Sequence, residues 1–102
     1  TATGYQSLYS NTTGSTNVAV GETSLYANTT GYRNTAIGRE ALNKNTTARD
    51  NTASGYRSLY NNTTGAYNCA YGNDALNSNT TASQNVAIGA GSLLYNTTGT
   101  RN

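Results

Sequence analysis

The chain has 102 residues, a net charge of +2, 34% hydrophobic and 10% charged residues, eleven Gly, and no His, Pro, Met, Trp or Phe. An ordinary globular domain carries about 45–50% apolar and about 25% charged residues, so a conventional hydrophobic core is excluded. So little net charge also argues against an expanded polyelectrolyte, and four carboxylates, one thiol and no imidazole offer little for catalysis.

Other classes are disfavoured on similar grounds. No apolar run approaches the roughly 18 residues of a membrane helix, so no membrane insertion is expected of this segment. The chain starts at Thr1 without Met or a signal peptide, as expected of a mature piece or part of a longer protein. Arg33, Arg39, Lys44, Arg49, Arg57 and Arg101 are scattered among Glu22, Glu40, Asp50 and Asp74 rather than concentrated, which disfavours a nucleic-acid partner. Those carboxylates occupy variable places and nominate no acid/base pair, so no enzyme activity and no cofactor are expected. Cys69 stands alone, which rules out an internal disulfide and a Cys/His metal site. Other copies of its column hold Val or Thr, so it reads as a small, half-buried filler.

The dominant feature is a repeat of 17 residues, with coils starting at about 4, 21, 38, 55, 72 and 89 and no insertion or deletion. Seven columns hardly vary. In chain order, each coil opens on Gly4, Gly21, Gly38, Gly55, Gly72 or Gly89, which marks a bend or a close backbone approach. A Ser or Ala then precedes Leu8, Leu25, Leu42, Leu59, Leu76 or Leu93, an apolar contact. Asn-Thr-Thr, starting at Asn11, Asn28, Asn45, Asn62, Asn79 and Asn96, is followed by Gly or Ala and reads as a turn. A second Asn column (Asn17, Asn34, Asn51, Asn68, Asn85, Asn102) leads into Ala19, Ala36, Ala53, Ala70 and Ala87, with Ala2 as the first partial copy. The segment Asn-x-Ala-x-Gly, such as Asn34-Thr35-Ala36-Ile37-Gly38, alternates around Ala and is rich in β-branched residues, a short strand signal.

A 17-residue unit is too short for the helix pairs of α-solenoids, and Asn, Thr and Gly are mediocre or poor helix formers. The expectation is an all-β, parallel β-solenoid: a single segment over residues 1–102, with one strand pair and two turns per coil and a narrow core of the Leu and Ala columns. At about 4.8 Å per coil it should be about 29 Å long. Its open ends call for caps, neighbouring domains or another copy.

The Asn columns have two readings. The second is expected to stack as an amide ladder, with Asn tolerating the left-handed conformation that turns require. In the first, Asn11, Asn28, Asn45, Asn62, Asn79 and Asn96 each satisfy the N-glycosylation acceptor pattern, so they are candidate glycan carriers as well as candidate ladder residues.

The segment Thr81-Ala82-Ser83-Gln84-Asn85-Val86-Ala87-Ile88-Gly89-Ala90-Gly91-Ser92, together with Asn17-Val18-Ala19-Val20-Gly21 and Asn34-Thr35-Ala36-Ile37-Gly38, resembles the head repeats of trimeric autotransporter adhesins. Related long repeats occur in phage tail-fibre-like proteins. The resemblance implies a left-handed parallel β-roll, three chains side by side, a place on a cell surface or virion, and a role in attachment. The unit here is longer than the family's, the extra length falling in Leu-Tyr-x-Asn-Thr-Thr.

The function expected is therefore a passive rod segment of an extracellular or virion fibre with an adhesive role. Its partners would be copies of itself, as a homotrimer or filament, and a surface receptor or glycan. Nine Tyr either stack on sugars or a partner chain or pack as an exterior ladder; Tyr9, Tyr26 and Tyr60 share a column. The first alternative is a filament scaffold carrying N-glycans on the Asn-Thr-Thr edge. The second is ice binding by Thr rows, but adjacent strand residues point to opposite faces, so Thr-Thr cannot present both hydroxyls as Thr-x-Thr would. Thr12 and Thr13 lying in a turn would count against it.

Overall fold

A computed structural model describes all residues 1–102 and contains no helix. The strands are β1 (Ala2–Thr3), β2 (Val18–Val20), β3 (Thr35–Ile37), β4 (Thr52–Ser54), β5 (Cys69–Tyr71) and β6 (Val86–Ile88). They form one six-stranded sheet in sequence order, and every pairing is parallel. Register advances by one repeat at each step, Ala19 facing Ala36 and Ala36 facing Ala53. The chain is a β-solenoid whose long axis spans 30 Å, with a cross-section of 21 × 16 Å. That length matches stacking at about 4.8 Å per coil.

Each coil carries a single short strand rather than the expected strand pair. The remainder is turns and bends that still hydrogen-bond from coil to coil: Leu25 N–H donates to Ala41 O at 3.0 Å, Ala27 N–H to Asn43 O at 2.9 Å and Thr29 N–H to Thr46 O at 2.9 Å. The missing strand has a backbone cause. The Leu column lies at φ of 48–53°, and the residues two places earlier, such as Thr23, Glu40 and Arg57, are also left-handed, at 51–60°. A third left-handed column precedes the second Asn: Thr16, Arg33, Asp50, Tyr67, Gln84 and Arg101. No Asn has a positive φ, so the conformation expected of Asn belongs to its neighbours.

A non-Gly residue held there costs on the order of 1–3 kcal/mol, and the gain at Leu is visible. Ser24 and Leu25, Ala41 and Leu42, Ser58 and Leu59, and Ala75 and Leu76 are all at 0% exposure. Two consecutive inward side chains cannot occur on an extended strand, where faces alternate. Reversing φ at Leu makes this possible, and a fully buried Leu contributes about 1.5–3 kcal/mol. The residue before it must be small; where it is Ser, its hydroxyl is used locally, as in Ser24 Oγ donating to Gly21 O at 3.0 Å.

The opening glycine is required twice over. Gly55 lies at φ +131°, and a Cβ on it would sit 2.5 Å from the Gly72 carbonyl oxygen of the next coil. The apolar core joins the Leu and Ala columns in one cluster with Ala41 and Ala75. Leu8 and Leu93, in the terminal coils, are only partly buried against it.

Candidate functional site

The first Asn column lies inside the solenoid. Asn28, Asn45, Asn62 and Asn79 are at 0% exposure. Asn28 Nδ2 donates to Asn11 Oδ1 at 2.8 Å and to Gly31 O at 3.1 Å, and Asn62 Nδ2 donates to Asn45 Oδ1 at 3.1 Å and to Gly65 O at 2.9 Å. Asn11 and Asn96, in the terminal coils, are half-buried and close the same local turn on Gly14 O and Gly99 O. An N-glycan replaces one of the two Nδ2 hydrogens, and in the interior coils both are already donated inside the protein. The expectation of glycans at Asn28, Asn45, Asn62 and Asn79 is therefore corrected: these side chains are a buried ladder, and a sugar there is incompatible with the packing.

The second Asn column uses its side chain differently. Asn51 Nδ2 donates to Gly65 O at 2.8 Å, while its Oδ1 accepts the backbone N–H of Asn68 at 2.9 Å. The same pair of bonds is made by Asn34, to Ala48 O and from Asn51 N–H. Each amide thus substitutes for backbone pairing at the corner just before the strand begins, and its Oδ1 satisfies a buried N–H of the next coil that would otherwise be orphaned.

The Thr-Thr pair divides its labour. Thr29 Oγ1 donates to Thr46 O at 3.1 Å and Thr12 Oγ1 to Thr29 O at 3.0 Å, so the first column spends its hydroxyl on the next coil. The second column, including Thr13, Thr30 and Thr47, is exposed. Both lie in bends, which counts against a flat Thr-Thr face.

Charged and aromatic side chains gather at two corners. At one, Arg33 Nε lies 3.0 Å from Asp50, whose carboxylate also faces Arg49 at 3.8 Å, and Tyr32 lies under both Arg33 and Arg49. At the other, Arg39 meets Glu22 at 3.3 Å, and Arg57 lies between Glu40 and Asp74 at 3.7 and 4.0 Å. Arg57 and Lys44 both lie over the Tyr60 ring. Arg33, Arg39 and Arg57 thus face carboxylates one coil away rather than pooling with the other basic residues. Tyr9 and Tyr26 stack at 5.4 Å with an interplanar angle of 4°, but Asn43 follows them in that column and the stack stops after two rings. Cys69 is half-buried, on β5.

The remaining surface is the outward side of the sheet. Ala19, Ala36, Ala53, Ala70 and Ala87 point inward, so the residues flanking each Ala point out. Ile37 is 45% exposed, Val86 56% and Ile88 72%. Parallel sheets are normally covered on both faces, which makes this the least conventional surface of the molecule. No side chain at its twelve outward positions is charged. Its signal in the sequence is the pair of β-branched columns bracketing the invariant Ala. No three His, Cys, Asp or Glu side chains converge anywhere, and no helix is long and apolar enough to cross a membrane.

Compared with protein-family models, curated proteins and solved structures, the chain matches none.

Proposed function

We propose that the chain is a structural rod segment of an extracellular or virion fibre, with an adhesive role carried by side chains on its exterior. The observation that supports this most is the continuity of the coil-to-coil bonding. The Asn11–Asn28–Asn45–Asn62–Asn79–Asn96 ladder runs through every coil, beside a sheet in constant register. A fold whose ladders advance along one axis transmits load and sets length, as a fibre component must. The adhesin-like Asn-x-Ala-Ile/Val-Gly segments support a surface location and assembly with further copies, as a trimer or filament.

The test is immunogold labelling of the protein on its natural source, read by electron microscopy, with native mass spectrometry of the released material. Gold along a surface or virion fibre and a threefold or polymeric mass are expected. Label confined to the cell interior, on a monomer, overturns the reading.

A further inference from the structure

We propose that the outward face of the sheet binds ice. The proposal stands on the surface alone and is independent of the fibre reading.

The face consists of the residue before and the residue after each inward Ala. Along the axis these groups repeat at about 4.8 Å, and across each strand they lie about 6.6 Å apart. Five parallel pairings hold the same register, so the array contains no slip. Nine of the twelve positions are Thr, Val or Ile. Each of these has a methyl on a Cβ whose rotation is restricted, so the array is stiff before anything binds. Thr1-x-Thr3 and Thr52-x-Ser54 place pairs of hydroxyls on this same face, and Thr35 places a single hydroxyl beside the methyls of Ile37. Unlike the Thr29 hydroxyl, which is committed to Thr46 O, those of Thr35 and Thr52 have no protein partner and face solvent. Thr1-x-Thr3 alone is the Thr-x-Thr arrangement that the Thr-Thr bends cannot supply, and the other coils fill the same places with Val, Ile, single Thr or Ser groups.

Charge separation and size point to the same occupant. Every charged side chain lies at other columns, so nothing on the face demands an ionic partner. A strip two columns wide and six strands long covers at most a few hundred Å², short of the roughly 800 Å² per partner that a stable protein interface buries. What fits a narrow, uncharged, periodic array of methyls and hydroxyls is a partner that is itself periodic and hydrogen-bonding, the ordered water layer of an ice surface. Cys69 and Tyr71 on β5 interrupt the array, leaving β1–β4 as its continuous part.

The experiment measures thermal hysteresis and ice-crystal shape for the natural chain, Ile37→Lys, Thr47→Lys and Tyr71→Thr, with circular dichroism melts and native mass spectrometry on each. The natural chain is expected to shape ice and show hysteresis. Ile37→Lys should lose most of it at an unchanged melting temperature, Thr47→Lys should retain it, and Tyr71→Thr should raise it by extending the array. Freezing behaviour of the natural chain equal to that of a non-binding protein overturns the proposal. So does loss of hysteresis in Thr47→Lys. Dissociation of an oligomer by Ile37→Lys also overturns it, because the face would then be a contact between copies.

Discussion

The interior has two halves built on different principles. Of 27 buried residues, thirteen are Leu or Ala and ten are Asn. The Leu/Ala half is held by exclusion of water, which is non-directional and tolerates any apolar group of similar volume. The Asn half is held by amides whose donors and acceptors are matched to specific groups, as when Asn45 Nδ2 bonds both Asn28 Oδ1 and Ala48 O. The apolar half therefore supplies collapse, and the amide half supplies register, since a displaced coil leaves buried amides unpaired.

The strongest way to break the apolar half is Leu42→Asp, which puts a carboxylate at a site with 0% exposure and no cationic partner inside. Loss of the cooperative thermal transition is expected, and an unchanged melt would refute the core assignment. Next comes the amide half. Asn51→Leu removes both bonds of a buried side chain and orphans the N–H of Asn68, while Gly65 O keeps its bond from Asn62 Nδ2. At about 1–3 kcal/mol for an orphaned buried group, chemical denaturation should show a loss of about 1–3 kcal/mol. A neutral or stabilised variant would mean that the amide half can be replaced by hydrocarbon. A finer comparison uses adjacent residues. Thr29→Val deletes the hydroxyl that bonds Thr46 O and should cost about 1 kcal/mol in the same assay, whereas Thr30→Val on the exposed neighbour should change stability little. The smallest effect is expected at the corners. Asp50→Asn removes the pairing with Arg33 and Arg49 but keeps a residue type that tolerates φ of 57°, so its cost should stay below about 1 kcal/mol and fade in high salt.

Much of this was readable in advance. The strand at Asn-x-Ala-x-Gly and the inward Ala and Leu columns follow from period and residue type, whereas the amide-to-amide ladder expected of the second Asn column runs through the first, the second bonding backbone groups instead. Other features had a signal that needs the period before it can be read. Arg33 and Asp50, Glu22 and Arg39, and the series Glu40, Arg57, Asp74 are each spaced by 17 residues, so charges scattered along the chain become neighbours of opposite sign once coils stack. These variable columns also distinguish one coil from the next, because a slip of a whole repeat preserves every invariant column and mismatches only these.

Still other features had no local signal. Leu, Arg, Tyr and Glu are poor markers of left-handed backbone, yet they occupy it here while every Asn avoids it. The first Asn matched a glycan acceptor pattern in sequence, and burial of its amide overrode that match.

By itself, the sequence determined the period, the number of coils, the strand site and the identity of the apolar columns, because each depends on residue type within one repeat. Only the tertiary structure decided which Thr commits its hydroxyl, which residues turn left-handed, that both Asn columns face inward, and that the sheet leaves an uncharged face open. Each of these is settled by a carbonyl or amide in the adjacent coil, and that group becomes a neighbour only when the chain has closed its turn.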